Sequence, residues 1–307
     1  MSQSKAISPL AAGVWFALAS ASLFAIRPIV VKLVYEQGTD STTLIAYRML
    51  FSMPIYVVLL VIFLSDPERR ARLTLGRVVG TSLVGLLGYY SASYLDLLGL
   101  QYVSAQLGRM LLYVYPTFVV VLGALFFGKK ISPTIVLSLF ITYTGIAIIF
   151  GHDLAVFGDD VVTGALFIFA SALSFALYLL FSKKLITELG SRVFTCIALI
   201  SASLAILLHY SITHTISEPQ LNQQALWLIV FIALFCTVIP SFFTAAAVER
   251  IGADRTGIIA MVGPAVTSLF AVLVLSEKFT VYHAIGIAIT VFGIWVLNHR
   301  RSTADKL

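Results

Sequence analysis

Four basic residues stand in stretches of otherwise apolar sequence, Arg27, Lys32, Arg48 and Arg109, together with a single acid, Asp96. Steps of three or four residues gather further polar groups onto helix faces: Ser82, Gly85, Tyr89, Ser93 and Asp96 on one stripe, and Arg109, Tyr113 and Pro116 on a second. Ser171, Ser174 and Tyr178 form a third, and Cys236, Pro240 and Thr244 a fourth. A charged side chain at the centre of a bilayer costs about 2.5–3.5 kcal/mol on insertion scales, so each needs a partner, a watery cavity or a route to the interface. Lys32 is near enough to a helix end to snorkel. Arg27 is too deep for that, and Pro28 behind it removes a backbone donor and frees a carbonyl.

Four positive charges against one acid favour a carboxylate or other anionic group. Arg27 is the expected main charge partner, with Tyr89, Tyr113 and Tyr178 as walls and hydrogen-bond donors. Ser93, Asp96, Arg109 and Ser174 complete the candidate cavity. Pro28, Pro116, Pro240 and Pro264 are expected to kink the helices that line it. Two readings stay open for Asp96 and Arg109, an ion pair joining neighbouring helices or contact with a solute. Ser171, Ser174 and Tyr178 suit close helix packing as well as a site.

Other chemistry has less support. His152, His209, His214, His283 and His299 form no HxxxH or HExxH arrangement and fall at helix ends or in loops, so interfacial histidines and no metal are expected. Cys196 and Cys236 lie in apolar runs, without disulfide or zinc spacing. GxxxxGK[ST] does not occur, so direct use of ATP is not expected, and no cofactor is implied.

The elements that must position these residues follow from composition. Of 307 residues 60% are hydrophobic and 11% charged, against roughly 25% charged in a soluble domain. Apolar runs recur near the length of about 20 residues that crosses a bilayer. They predict ten transmembrane helices near 12–35, 42–64, 78–100, 104–127, 133–150, 161–182, 193–212, 225–248, 256–275 and 281–297. Alternate loops then sort the charges. One side receives Lys5, Arg69, Arg70, Arg72, Arg77, Lys129, Lys130, Lys183, Lys184, Arg192, Arg250, Arg255, Arg300, Arg301 and Lys306, and the other only Lys278. The positive-inside rule makes both ends cytoplasmic, with 1–11 and 299–307 as tails. The net charge of +6 thus reflects membrane flanks, and no nucleic acid is expected. Glu36, Asp40, Asp153, Asp159, Asp160, Glu218 and Glu277 fall to the outer loops.

The chain also repeats. Gly13, Phe16, Ala19, Ser20, Ala21, Phe24 and Ala25 match Gly164, Phe167, Ala170, Ser171, Ala172, Phe175 and Ala176 at one offset, and Lys32 matches Lys183. Ala105, Pro116, Lys130 and Gly145 match Ala253, Pro264, Lys278 and Gly293. Five helices per copy is an odd number, so the second copy enters the bilayer from the opposite side, the inverted architecture of alternating access.

Leu111-Leu-Tyr-Val-Tyr-Pro-Thr-Phe and Met261-Val-Gly-Pro-Ala-Val, followed by Gly128-Lys-Lys and Ser276-Glu-Lys, resemble the drug/metabolite transporter superfamily of EamA type. Tyr47-Arg48-Met49 does so too. The resemblance covers two halves, about 12–151 and 160–298. It implies an all-α membrane carrier of small organic solutes in a bacterial inner membrane, often an exporter of amino acids or related metabolites. Family members tend to carry an arginine at the place of Arg48 whatever they transport, which points to a structural role. Two places depart from the family pattern: Lys129 where a glutamate is common, although the second half has Glu277, and Arg27 where an asparagine is common. Efflux of lipophilic cations through Asp96 is the alternative, and a non-transporting scaffold or a membrane-embedded enzyme are remoter ones. Proton coupling through Asp96, substrate exchange and facilitated diffusion all stay open, as does the oligomeric state.

Overall fold

The computed structural model describes residues 9–128, 133–214 and 221–304. Lys5, Lys129, Lys130, Glu218 and Lys306, which entered the charge count, lie outside the described residues. Every regular element among the described residues is helical, as apolar chain in lipid must be when each backbone group is satisfied within its own segment.

The described residues make ten crossings. Helix 1 is Pro9–Glu36 and helix 2 Ser41–Leu64. Helix 3 joins Leu75–Gly85, a π-turn Leu86–Ser91 and Ala92–Leu100. Helix 4 is broken into Ala105–Leu112 and Tyr115–Phe127. Helix 5 is Pro133–Phe157, helix 6 Asp160–Leu189 and helix 7 Ser191–Thr213. Helix 8 joins Gln223–Ala233, a π-turn Leu234–Val238 and Ile239–Ile251. Helix 9 is broken into Ala253–Ala260 and Gly263–Leu275, and helix 10 is Val281–Ala304. Eight of these crossings are long and apolar enough to span a membrane whole, and the last two supply shorter apolar segments. A five-residue helix, Pro67–Ala71, sits between helices 2 and 3 behind the cap residue Asp66.

The helix starts explain themselves chemically. Asp40 caps helix 2, its carboxylate accepting the amides of Thr42 at 2.7 Å and Thr43 at 3.0 Å. Burial opposes the charge on Asp40, yet these bonds and the Thr43 hydroxyl outweigh it and hold the carboxyl below its usual range. Asn222 caps helix 8 at 2.7 Å and Ser104 caps helix 4 at 3.0 Å.

The two halves repeat in architecture as well as sequence. From helix 3 onward five element starts recur 148 residues later: Leu75 and Gln223, the π-turns at Leu86 and Leu234, Ala105 and Ala253, Tyr115 and Gly263, Pro133 and Val281. Both broken helices run eight residues, miss two, and run thirteen. Each then closes on a left-handed residue, Gly128 at φ 62° and Ser276 at φ 55°.

Helices 5 and 10 carry the local two-fold relation to atomic detail. A Cβ on Gly145 would stand 2.4 Å from Thr290 Oγ1 and 2.5 Å from the Gly286 carbonyl. One on Gly293 would stand 2.4 Å from Thr142 Oγ1 and 3.0 Å from the Ser138 carbonyl. Each residue in the first contact is the repeat mate of its counterpart in the second.

Two sequence expectations change here. Helices 5 and 6 run about two turns past their predicted ends, so Asp153, assigned to an outer loop, is inside helix 5 and buried. The single stripe on helix 3 does not exist as one face. The π-turn inserts a residue into one turn, which rotates the remainder of the helix by roughly 100°. Ser82 accordingly meets Ser201 of helix 7 at 2.8 Å, whereas Tyr89 meets helix 6 and Asp96 meets helix 1.

Candidate functional site: buried charges between broken helices

The bundle has a terminal end, where helix 1 starts and helix 10 finishes, and an opposite, distal end. Toward the distal side of mid-span, the Arg27 guanidinium donates to the Asp96 carboxylate. The pair is partly buried, with side-chain exposure of 21% for Arg27 and 7% for Asp96, so Asp96 is taken by helix 1. Of the two open readings, the ion pair changes partner: Asp96 pairs with Arg27, 69 residues away, and not with Arg109 on the neighbouring helix. Pro28 is buried within a helix that continues past it.

Arg48 of helix 2 is 2% exposed and lies within electrostatic reach of both Arg27 and Asp96. Its Nε has no hydrogen-bond partner. Cys236 of helix 8 stands beside the same two arginines.

Arg109 belongs to a second cluster. It sits in the last turn of Ala105–Leu112, just before the break in helix 4. Its guanidinium carbon is 5.5 Å from the centre of the Tyr113 ring, a cation–π distance. The Tyr113 hydroxyl donates to the Ala260 carbonyl at 3.4 Å, across to the break in helix 9. A Cβ on Gly263 would stand 2.9 Å from Arg109 Nη2 and 3.1 Å from the Tyr113 hydroxyl. The two helix breaks therefore face each other, with Arg109 and Tyr113 between them. Arg109 Nε is buried without a hydrogen-bond partner. The half-helices Tyr115–Phe127 and Gly263–Leu275 start at these breaks with no side-chain cap, and helix N-termini carry partial positive charge.

Pro116 and Pro264 sit in the first turn of those two half-helices, so each break ends where a residue without an amide can start a helix. Pro240 occupies the same place after the helix 8 π-turn.

Tyr89 and Tyr178 share a hydrogen bond at 3.0 Å with their rings edge to face. The Tyr178 ring lies on Gly88, where a Cβ would fall 2.4 Å from it. The Ser174 and Ser171 hydroxyls donate to the carbonyls of Leu87 at 2.8 Å and Ala92 at 2.7 Å, beside the helix 3 π-turn. Ser20, the repeat mate of Ser171, donates to the Pro240 carbonyl at 2.8 Å, and Pro240 is the mate of Ala92. Ser93 is half-buried on helix 3. A groove lined by Gln223, Gln224, Trp227, Leu228 and Phe231 runs along helix 8 away from these charges.

The distal end adds residues that sequence reading missed. Glu277 accepts the Ala105 amide at 2.7 Å, the Gln106 amide at 3.4 Å and the Gln106 side chain at 3.1 Å. A carboxylate from the second half thus closes the N-terminus of helix 4 in the first, with Lys32 in electrostatic reach of it. His152, Asp153 and His283, expected as separate interfacial groups, come together as one buried cluster.

The EamA-like transporter family model matches the chain twice, at residues 11–151 and 162–299. An uncharacterized transporter of Bacillus subtilis, YcbK, is 29% identical, covering 99% of this chain and 98% of its own length. An uncharacterized transporter of Archaeoglobus fulgidus is 22% identical over 84% of this chain and 94% of its own. A solved crystal structure superposes with a TM-score of 0.67 at 14% identity, covering 93% of this chain and 95% of that one, a likeness of fold. This chain is a multi-pass integral membrane protein and belongs to the EamA-like transporter family.

Proposed function

We propose that this transporter is a secondary carrier of small organic solutes with an anionic or zwitterionic head, amino acids and their derivatives foremost, working by alternating access. The observation that carries the reading is the charge balance among buried groups. Three guanidinium groups, Arg27, Arg48 and Arg109, stand against Asp96, and Asp96 already binds Arg27. The main anion contact moves from Arg27 to Arg109, whose Nε lacks a partner and which sits at the crossing of two broken helices. Tyr113, Tyr89 and Tyr178 line the approach. Discontinuous helices near the midplane are where such carriers hold anionic substrate groups. The alternative, export of lipophilic cations, requires a membrane carboxylate free to exchange proton and cargo. Asp96 is held by Arg27, which weakens it. The reading contains no catalytic step and no use of ATP. It places both termini in the cytoplasm of a bacterial cell and the direction of flux outward across the inner membrane.

The test is uptake of a panel of labelled amino acids and derivatives by purified protein in liposomes. Replacing one hydrogen-bonded charge costs about 1.5–3 kcal/mol, so Arg109→Gln should weaken apparent affinity roughly 10- to 100-fold while the thermal midpoint stays near that of the parent. Transport of cationic dyes with no amino acid transported would reject the reading.

A further inference from the structure

At the distal ends of helices 5 and 10 a carboxylate is buried with no basic partner of the ordinary kind. The Asp153 side chain has 0% exposure. Its Oδ2 accepts the Ser104 hydroxyl at 2.9 Å. Its Oδ1 lies 3.1 Å from His152 Nδ1 and 3.3 Å from His283 Nε2. Among the described residues these imidazoles, which carry charge only when protonated, are the groups within ion-pair distance, and neither arginine nor lysine reaches it. A buried carboxylate of this kind needs a compensating positive charge.

We propose that His152, Asp153 and His283 bind a divalent first-row transition metal of the zinc class. Each of the three offers one ligand atom, an imidazole nitrogen from His152 and from His283 and a carboxylate oxygen from Asp153, and these atoms lie within 4.8 Å of one another. The two oxygen-to-nitrogen separations are close to the roughly 3.3 Å that separates tetrahedral ligands bound at about 2.0–2.1 Å. Imidazole with carboxylate selects zinc, cobalt or nickel over calcium and magnesium, which take all-oxygen shells.

The surroundings fit a metal as well. With metal on His283 Nε2, the proton sits on Nδ1, and Thr280 Oγ1 at 2.9 Å accepts it. The hydrogen bond from the Thr280 amide to that nitrogen, 3.3 Å, is given up. Ser104 orients the free carboxylate oxygen, the outer support that metal ligands need. The His152 ring is packed 5.0 Å from Tyr282 and the His283 ring 6.0 Å from Phe279. His152 keeps 17% exposure, which leaves a fourth position for water on that side.

Bound there, the ion would tie helix 5 of the first half to helix 10 of the second and, through Ser104, brace the start of helix 4. The inference does not depend on which solute the transporter carries.

The experiment uses full-length protein in detergent with its affinity tag removed, stripped by chelator and titrated with Co2+. One equivalent should give the visible absorption of a low-symmetry nitrogen–oxygen site, and Zn2+ should displace it. Zn2+ alone should raise the thermal midpoint by several degrees. His152→Gln and His283→Gln should each lose the spectrum. Absence of saturable Co2+ binding by the parent protein overturns the proposal, and so does binding that persists unchanged in the double variant. If a variant unfolds, the parent titration decides. Amino acid transport measured in parallel separates failure here from failure of the substrate reading.

Discussion

The contact between helices 5 and 10 and the charged network of helices 1 to 4 obey opposite rules. At the glycine crossing of the first, each partner has its repeat mate doing the same work: Gly145 with Gly293, Thr142 with Thr290, Ser138 with Gly286. At the second, nothing is repeated. Arg27 has Tyr178 as its mate, Asp96 has Thr244, Tyr113 has Met261 and Arg109 has Gly257. On the carrier reading proposed above, packing that both conformations of an inverted repeat would share is held symmetric, whereas recognition of one solute needs to be built once.

The largest effect should come from the asymmetric side. Asp96→Ala strands a partly buried guanidinium, a loss of about 3 kcal/mol in unfolding free energy, the low end for a broken buried pair. Thr244→Ala at the mate position should cost within about 1 kcal/mol. The Arg27→Ala, Asp96→Ala double variant should cost less than the sum of its parts. Denaturant titration in detergent reads all three, and equal losses at Asp96 and Thr244 would break the comparison.

A smaller and symmetric effect belongs to the glycines. Gly145→Ala and Gly293→Ala each force a methyl against backbone and threonine oxygen, which costs about 1–3 kcal/mol by overpacking. The two should match within about 0.5 kcal/mol, and thermal midpoints compared side by side sharpen or refute the two-fold relation.

The smallest effect again separates the halves. Helix 2 is capped by Asp40, whereas helix 7, its mate, starts after Gly190 with no side-chain cap. Asp40→Ala should cost about 1 kcal/mol at neutral pH. The Asp40 carboxyl is held below its ordinary value of 3.8 when folded. Its contribution is therefore complete above that value and fades as the carboxyl protonates below it. The gap between parent and variant should close below about pH 4, measured by thermal midpoint across a pH series. A gap that persists in acid would mean the cap acts through packing.

Much of the architecture is legible in the chain itself. The ten crossings, the repeat and the breaks near Pro116 and Pro264 follow from hydropathy, an offset and the missing amide of proline. Sequence does not supply which faces meet. Asp96 and Arg109 lie on adjacent helices at similar depth, which makes their pairing the natural expectation. The choice of Arg27 depends on a π-turn that has no residue signature and that swings Asp96 toward helix 1. Ser171 and Ser174 suit site and packing equally until the Leu87 and Ala92 carbonyls beside that turn claim them. His152, Asp153 and His283 escape notice because about 130 residues separate the first two from the third, with no local motif. One signal is available: Gly145 and Gly293 place helices 5 and 10 side by side, and polar groups at their shared end can be paired from that.

The Gly145 and Gly293 contact has a mechanical meaning. When the halves of an inverted repeat exchange conformations, each contact is replaced by the one between its repeat mates. Here the exchange maps Gly145 against Thr290 onto Gly293 against Thr142, a contact already present. The seam between helices 5 and 10 can thus stay shut through the whole transport cycle. Under the alternating access proposed for this carrier, it is the fulcrum about which the remaining helices would rock.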